Sequence, residues 1–384
     1  MMNHQLILTT VEAEMDDYRP FKKIPGVFLF IVALTLSIPA SAKNSLRYEL
    51  QNILNNSISN SLTPGAVLLV SSPETGVITV AAGLANIKKK TPMEITNNFR
   101  IASMSKTFLA VTVLRLIEQG KFNLNDKMAD LLPDSVDIDR IPNGNGVTVK
   151  QLLQMRSGIP NYIDYDAYSE LIDNMAGKEW TPELCIRIVY DKKPGFAPGA
   201  SYEYSNTNYL LLQLIVENYE GGSYADTIRS DILDPLKLKH TFVETQESDD
   251  EHQLITRGYS VEDKKLLDVT DYNDGWGMGD GGMISTAEDM NVFVRALLID
   301  KTLLKPDSLR KMLSFKDEYG LGIWPEDIND ETAWSHNGLT SGFQGQYYYF
   351  PESQLTVILL TNNFDTDILS DTVSKTHKLI TGGE

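Results

Sequence analysis

Apolar positions follow two rhythms along this chain. Over residues 46–62 they recur every three or four places, with Leu46, Leu50, Ile53 and Leu54 on one side, which predicts a helix. Residues 65–70 and 76–80 are short, β-rich apolar runs on either side of Ser71-Ser72-Pro73-Glu74-Thr75, and they read as an antiparallel hairpin. Residues 346–350 and 355–360 predict a second hairpin across Pro351-Glu352-Ser353, followed by an amphipathic helix over 366–380. The sequence between the hairpins is mainly helical. Residues 104–119 form its strongest helix, stopped by Gly120. A second follows Thr148 and ends at Ser157-Gly158-Ile159-Pro160, and a third covers 209–219. Ser285-Thr286-Ala287-Glu288 reads as a capping box opening a helix to Leu298.

Strands, then helices, then strands predict an α+β fold. The N- and C-terminal strands form one antiparallel sheet flanked by helices, with a mainly helical lobe inserted. The sheet lobe takes about 43–100 and 300–384, and the helical lobe about 101–299, of a single domain. No internal repeat or linker interrupts it.

The formal net charge of -18 changes the picture in one respect. No basic stripe is available to neutralise phosphates, so nucleic acid is excluded as a partner, and no protein partner is implied. Cys185 is the only cysteine, so no intrachain disulfide forms, and its apolar setting at 182–186 makes it core filler. Near the N-terminus, Arg19, Lys22 and Lys23 precede an apolar run over 24–38 and then Ala40-Ser41-Ala42. This order reads as a signal peptide over 1–42, with Lys43 as the first mature residue. The run is shorter than the roughly 20 apolar residues a membrane span needs. The expectation is an exported protein, periplasmic or extracellular, or one anchored by an uncleaved signal. Four acidic residues ahead of Arg19 leave Met15 as an alternative start.

Three short motifs carry chemistry. Ser103-Met104-Ser105-Lys106 is an S-x-x-K at the start of the strongest helix. Three residues are close to one turn, so both side chains share a face. A serine hydroxyl needs a base to take its proton, and a lysine whose pKa is lowered can do so. A second copy, Ser308-Leu309-Arg310-Lys311, lies among charged neighbours and reads as a solvated helix face. Tyr204-Ser205-Asn206 is the only Y-x-N, held by the turn Phe196-Ala197-Pro198-Gly199; it supplies a proton-relaying hydroxyl and an amide that both donates and accepts. His336-Asn337-Gly338 follows Ala333-Trp334-Ser335, read as an edge strand, and its glycine would let a substrate approach the backbone. Neither H-E-x-x-H nor C-x-x-C occurs, so no metal or other cofactor is expected.

In this order the motifs resemble those of the penicillin-recognising serine hydrolases, which include D-alanyl-D-alanine carboxypeptidases, class C β-lactamases and related esterases. Flanking text agrees: Phe99-Arg100-Ile101-Ala102, Gln151-Leu152-Leu153, residues 281–290 and Tyr319-Gly320-Leu321-Gly322. The resemblance implies that Ser103 is acylated and that Lys106 and Tyr204 share proton transfer. It further implies that Asn206, His336 and Gly338 bind substrate and that the backbone N–H groups of Ser103 and Leu339 form an oxyanion hole. The third motif departs from the lysine-threonine-glycine of β-lactamases. Asn337 and Leu339 lack the hydroxyls that help bind a carboxylate, and Thr340 and Ser341 come one place late. The implied activity is carboxypeptidase-like hydrolysis of a small peptide, amide or ester, with cell-wall peptide among the candidates. A class C β-lactamase, a small-ester esterase, a D-amino-acid amidase and a catalytically weak penicillin-binding protein stand as alternatives. Arg156 is a candidate cation near the cleft, otherwise a solvent-facing arginine at a helix end.

Overall fold

The apolar runs β1 (Gly65–Ser72) and β12 (Leu355–Thr361) lie side by side, with Leu68 opposite Leu359. This joins the two ends of the chain in one sheet. The computed structural model describes residues 40–174, 180–247, 252–316, 318–363 and 366–383. The basic flank and apolar run of the expected signal lie outside the described residues. Ala40-Ser41-Ala42 falls at the start of the first helix, Ala40–Ser59. Among the described residues, no helix is long and apolar enough to cross a membrane.

The remaining strands are β2 (Gly76–Asn86), β3 (Thr91–Pro92), β4 (Asn98–Arg100), β5 (Phe242–Val243), β6 (Tyr259–Glu262), β7 (Lys265–Asp268), β8 (Met283–Thr286), β9 (Trp324–Ile328), β10 (Glu331–Thr340) and β11 (Phe343–Phe350). Seven of them form a sheet in the order β3-β2-β1-β12-β11-β10-β9, antiparallel throughout. Both expected hairpins are present and adjacent. A smaller sheet, β4-β8-β5, carries the Ser103 region, and β6 and β7 pair as a separate hairpin.

Side chains alternate across a strand, so one apolar run can serve two cores. Leu68, Val70, Val357 and Leu359 face Leu50 and Leu54 of the first helix and Leu369 and Val373 of the last, Thr366–Thr381. Val67, Leu69, Ile358 and Leu360 face the larger core that contains Phe108 and Leu109. Helices on both faces explain why β1 and β12 are continuous apolar runs rather than alternating ones. Each fully buried leucine there contributes about 1.5–3 kcal/mol.

Three local expectations are corrected. The helix expected from 104 starts at Ser105 (Ser105–Glu118), because Ser103 belongs to a preceding 3-10 turn, Ala102–Met104. Ser285 is not the cap of the next helix. It lies inside β8, opposite Phe99, and Thr286 instead accepts from the Asp289 N–H at 3.1 Å to open Ala287–Val294, which continues as a π-turn over Arg295–Ile299. β10 is not the edge strand, since β9 lies outside it. That pairing stops at Ser335, however, so residues 336–340 run past the end of β9.

Candidate active site

The chain reaches Ser103 under backbone strain. Ala102 has φ +46°, a left-handed conformation that costs a residue with a β-carbon about 1–2 kcal/mol. The surroundings hold it there. The Ile101 N–H bonds the Met283 carbonyl at 3.0 Å, and the Ser105 hydroxyl donates to the Ala102 carbonyl at 2.6 Å and accepts from the Met283 N–H at 3.3 Å. Gly338 explains the close approach of β10 on the other side. A β-carbon there would sit 2.1 Å from the Ile101 carbonyl oxygen and 3.1 Å from the Ala102 β-carbon. The glycine therefore makes room for the protein's own backbone.

Lys106 is completely buried, and its Nζ lies 2.9 Å from Ser103 Oγ and 2.7 Å from Asn206 Oδ1, with the Asp280 carbonyl as its third partner. Burial lowers its pKa from 10.5 to about 7, against the opposing pull of the Asp280 charge. The two outer partners are acceptors only. In the neutral amine, two hydrogens serve them and the lone pair is left for the Ser103 proton.

The Tyr204 hydroxyl lies close enough to Ser103 for that side chain to act on its pKa, and its ring centroid lies 5.1 Å from Lys106 Nζ. Burial raises its pKa well above the ordinary phenol range, outweighing the effect of Ser103. It is a neutral phenol near pH 7. Asn206 opens the helix Asn206–Glu220, and its N–H donates to Asn161 Oδ1 at 3.0 Å. Ser205 and Thr207 donate to the Pro160 carbonyl at 3.1 and 2.7 Å, so the Tyr-Ser-Asn segment is clamped onto residues 160–161. Arg156 is neither solvent-facing nor part of the cavity wall. It is 5% exposed, and its guanidinium holds the Gly199 carbonyl at 2.9 Å, which stiffens the turn before Tyr204.

His336 is placed differently from the sequence expectation. It is fully buried, with Nδ1 2.6 Å from the Asn337 carbonyl and Nε2 2.9 Å from the Tyr319 hydroxyl. The carbonyl requires a proton on Nδ1, so Nε2 accepts from Tyr319. Burial, then the nearby Lys106 charge, lower its pKa to about 3, so it is neutral. It touches Tyr319, which in turn lies edge-on to Tyr204 at 6.4 Å, and it is absent from the cavity wall.

The cavity beside Ser103 has a volume of about 100 Å³ and is lined by Asn206, Asp280, Leu339, Thr340, Arg100 and Asp274, among others. Leu339 is 54% exposed at its mouth. Arg100 is the one cation among the described residues of the wall. Its Nε and Nη2 bond Glu244 at 2.7 and 2.8 Å, Nη1 bonds the Thr270 carbonyl at 2.9 Å, and Trp276 lies over it at 4.2 Å. Asp274 takes the Thr340 hydroxyl at 2.7 Å and the Ser341 N–H at 2.9 Å. In the second S-x-x-K, Ser308 is buried rather than solvated, while Lys311 is half-exposed and pairs with Asp307 at 2.7 Å. Cys185 is buried, as expected of core filler.

Sequence reasoning missed Glu244, Asp274, Asp280, Tyr162 and the role of Tyr319. Asp280 had a weak signal in its place before Gly281-Gly282. Nothing local pairs Arg100 with a glutamate 144 positions away.

A serine bonded to a buried amine, beside a half-buried tyrosine, defines a hydrolase centre of the penicillin-recognising type. The chain belongs to the beta-lactamase family, whose Beta-lactamase description matches residues 54–372. Over 328 residues it is 26% identical to Protein flp of Staphylococcus aureus (strain MW2), a match that takes 83% of this chain and 64% of that relative. The chain thus spans under two thirds of that relative's length. The D-amino acid amidase from Ochrobactrum anthropi SV3, complexed with D-phenylalanine, superposes with a TM-score of 0.78 at 24% identity, over 88% of this chain and all of that one. A D-stereospecific amidohydrolase from Streptomyces sp. superposes with a TM-score of 0.75 at 25% identity, over 88% and 99%.

Proposed function

We propose that the protein hydrolyses D-aminoacyl amides or small esters through an acyl-enzyme on Ser103, with Lys106 as the base. The observation that carries this reading is the buried Lys106 amine, 2.9 Å from Ser103 Oγ and with a pKa lowered to about 7. The Ser103 proton passes to Nζ as Oγ bonds the substrate carbonyl carbon, and the carbonyl electron pair moves to oxygen. Ser103 and Leu339, both in the cavity wall, are the proposed backbone donors to that oxygen. The tetrahedral intermediate then collapses, the C–N or C–O bond breaks, and the leaving group takes the proton from Lys106, with the Tyr204 hydroxyl as relay. Water repeats the sequence to release the acid. Because its phenol titrates high, Tyr204 serves as this relay rather than as the base.

Substrate choice follows from charge. A carboxypeptidase must bind a terminal carboxylate, and so must an enzyme specialised for β-lactams. Arg100 already serves Glu244, and Asp274 would repel a carboxylate near Thr340. A free amino group meets no such conflict. The likeness to a D-stereospecific amidohydrolase supports the same choice. The test compares kcat/KM for D-alanine p-nitroanilide, its L-enantiomer, a D-Ala-D-Ala peptide and a cephalosporin. The D-anilide should be best, Ser103→Ala should abolish its turnover, and Ser308→Ala should leave it intact. Efficient cephalosporin hydrolysis would return the class C β-lactamase reading to first place.

A further inference from the structure

Asp280 is a buried carboxylate that the chemistry above leaves unused. It is 7% exposed and lies in the cavity wall with Ser103 and Asn206. Its loop is held tightly. The Gly281 and Gly282 N–H groups both bond the Met278 carbonyl, at 3.2 and 2.7 Å, and the Gly279 N–H bonds Gln213 Oε1 at 2.7 Å. A β-carbon on Gly282 would lie 2.2 Å from the Met278 nitrogen, so the turn admits glycine there. This loop delivers two groups to the site. The Asp280 carbonyl accepts from Lys106 Nζ, and the carboxylate Oδ2 accepts from the Tyr162 hydroxyl at 2.9 Å.

The groups around Lys106 are few. Tyr204 and Tyr209 present ring faces at 5.1 and 5.6 Å, Asn206 and Ser103 are neutral, and His336 is neutral. Asp280 supplies the negative charge that acts on Lys106; burial pushes its carboxyl above the usual carboxylate range, and the Lys106 charge and the Tyr162 hydrogen bond oppose that shift. Around Asp280 itself stand Lys106, the Tyr162 phenol and the Asp274 carboxylate, with Tyr168, Cys185 and Tyr224 further within reach of its charge. Each of those three is held uncharged by burial.

We propose that the Asp280 carboxylate is the counter-charge for the ammonium that Lys106 becomes when it takes the Ser103 proton. Asp280 is then a positioning residue for acylation. At that step Nζ changes from neutral to positive while the substrate oxygen becomes negative. A fixed carboxylate favours the first change at no cost in reorganisation. Tyr162 holds the carboxylate in place and shares its charge. The proposal rests on Lys106 being the base.

The experiment measures kcat/KM for D-alanine p-nitroanilide from pH 5 to 10 in the unmodified enzyme, Asp280→Asn and Tyr162→Phe, with circular dichroism confirming the fold. Asparagine keeps the shape and the acceptor for Tyr162 but not the charge. Asp280→Asn should move the acid limb down by about one unit and lower the alkaline plateau about tenfold, because an opposite charge in such a site favours the protonated form by about that much. Tyr162→Phe keeps the charge and should move the midpoint less. An Asp280→Asn plateau that falls with an unmoved midpoint would mean a merely structural role and overturn the proposal, as would unchanged values of both. If the unmodified enzyme shows no acid limb near pH 7, Lys106 is not the base and both readings fall. If that limb stands and only the Asp280 shift is missing, this inference alone falls.

Discussion

Replacing Lys106 with methionine gives the sharpest stability test of the site. Methionine nearly fills the space and cannot be charged. In the folded protein the amine has a pKa of about 7 against its ordinary value of 10.5. The sign follows from proton counting. Between about pH 7 and 10.5 the unfolded chain holds a proton on this lysine that the folded chain lacks, so stability rises with pH across that window. Below pH 7 the penalty is complete, at about 3.5 units or about 5 kcal/mol, and above pH 10.5 it vanishes. Methionine removes it. It also leaves the Asn206 and Asp280 acceptors without their donor, at about 1–3 kcal/mol each, but that cost does not vary with the lysine's protonation. The informative quantity is therefore the change in the variant-minus-wild-type difference with pH. Going from pH 6 to pH 9 relieves more than half of the penalty, so wild type should gain on the variant by about 3 kcal/mol. For a chain of this size that is about 4 °C in Tm. Melting curves by circular dichroism at pH 6, 7, 8 and 9 measure it directly. A difference in Tm that stays constant across this range would show that the amine titrates normally and would remove the basis for Lys106 as a neutral base. Activity gives a parallel reading, since kcat/KM should fall tenfold per unit below the limb near pH 7 in wild type and be lost in the variant.

Two further outcomes are expected. Gly338→Ala places a β-carbon 2.1 Å from the Ile101 carbonyl, so β10 or the Ser103 turn must shift; a loss of about 1–3 kcal/mol in stability and slower acylation should follow, and unchanged melting and labelling by a fluorescent penicillin would contradict that account of the glycine. Export with cleavage after Ala42 predicts a mature chain beginning at Lys43, to be read by N-terminal sequencing of protein from its native host, where a chain that begins at Met1 in the cytoplasm would end the proposal.

The fold was legible in the sequence where burial imposes a period. β1 and β12 are long apolar runs because helices cover both faces of the sheet, and that pattern alone predicted two hairpins and their union. Ends of elements were less legible, since Ser285 and Thr286 are both good caps and only the β8 pairing with β4 decides between them. Ser103, Lys106, Tyr204 and Asn206 were found because each motif is short and local, and the structure brings them within one cluster.

The directions of the side chains and the charges opposite them lay beyond the sequence. The resemblance implies that His336 binds substrate, in a motif that lacks the lysine of β-lactamases. In the structure the imidazole is turned into the core against Tyr319 and Trp324, whose ring is 4.3 Å away, so a lysine at that position would add a second buried cation beside Lys106 rather than a carboxylate receptor. In the proposed reading the control over carboxylates lies instead in Glu244, which occupies Arg100, and in Asp274, which takes the Thr340 hydroxyl. Both are single acidic residues in loops, far along the chain from the groups they hold. An acidic residue in a chain of net charge -18 reads by default as solvated surface, and only the folded geometry separates these carboxylates, and Asp280 with them, from the rest. The proposed substrate choice thus rests on different residues from those the sequence offers. That shift matters for design, because enlarging activity on carboxylate-bearing substrates calls for neutralising Glu244 or Asp274 and leaving His336 in place.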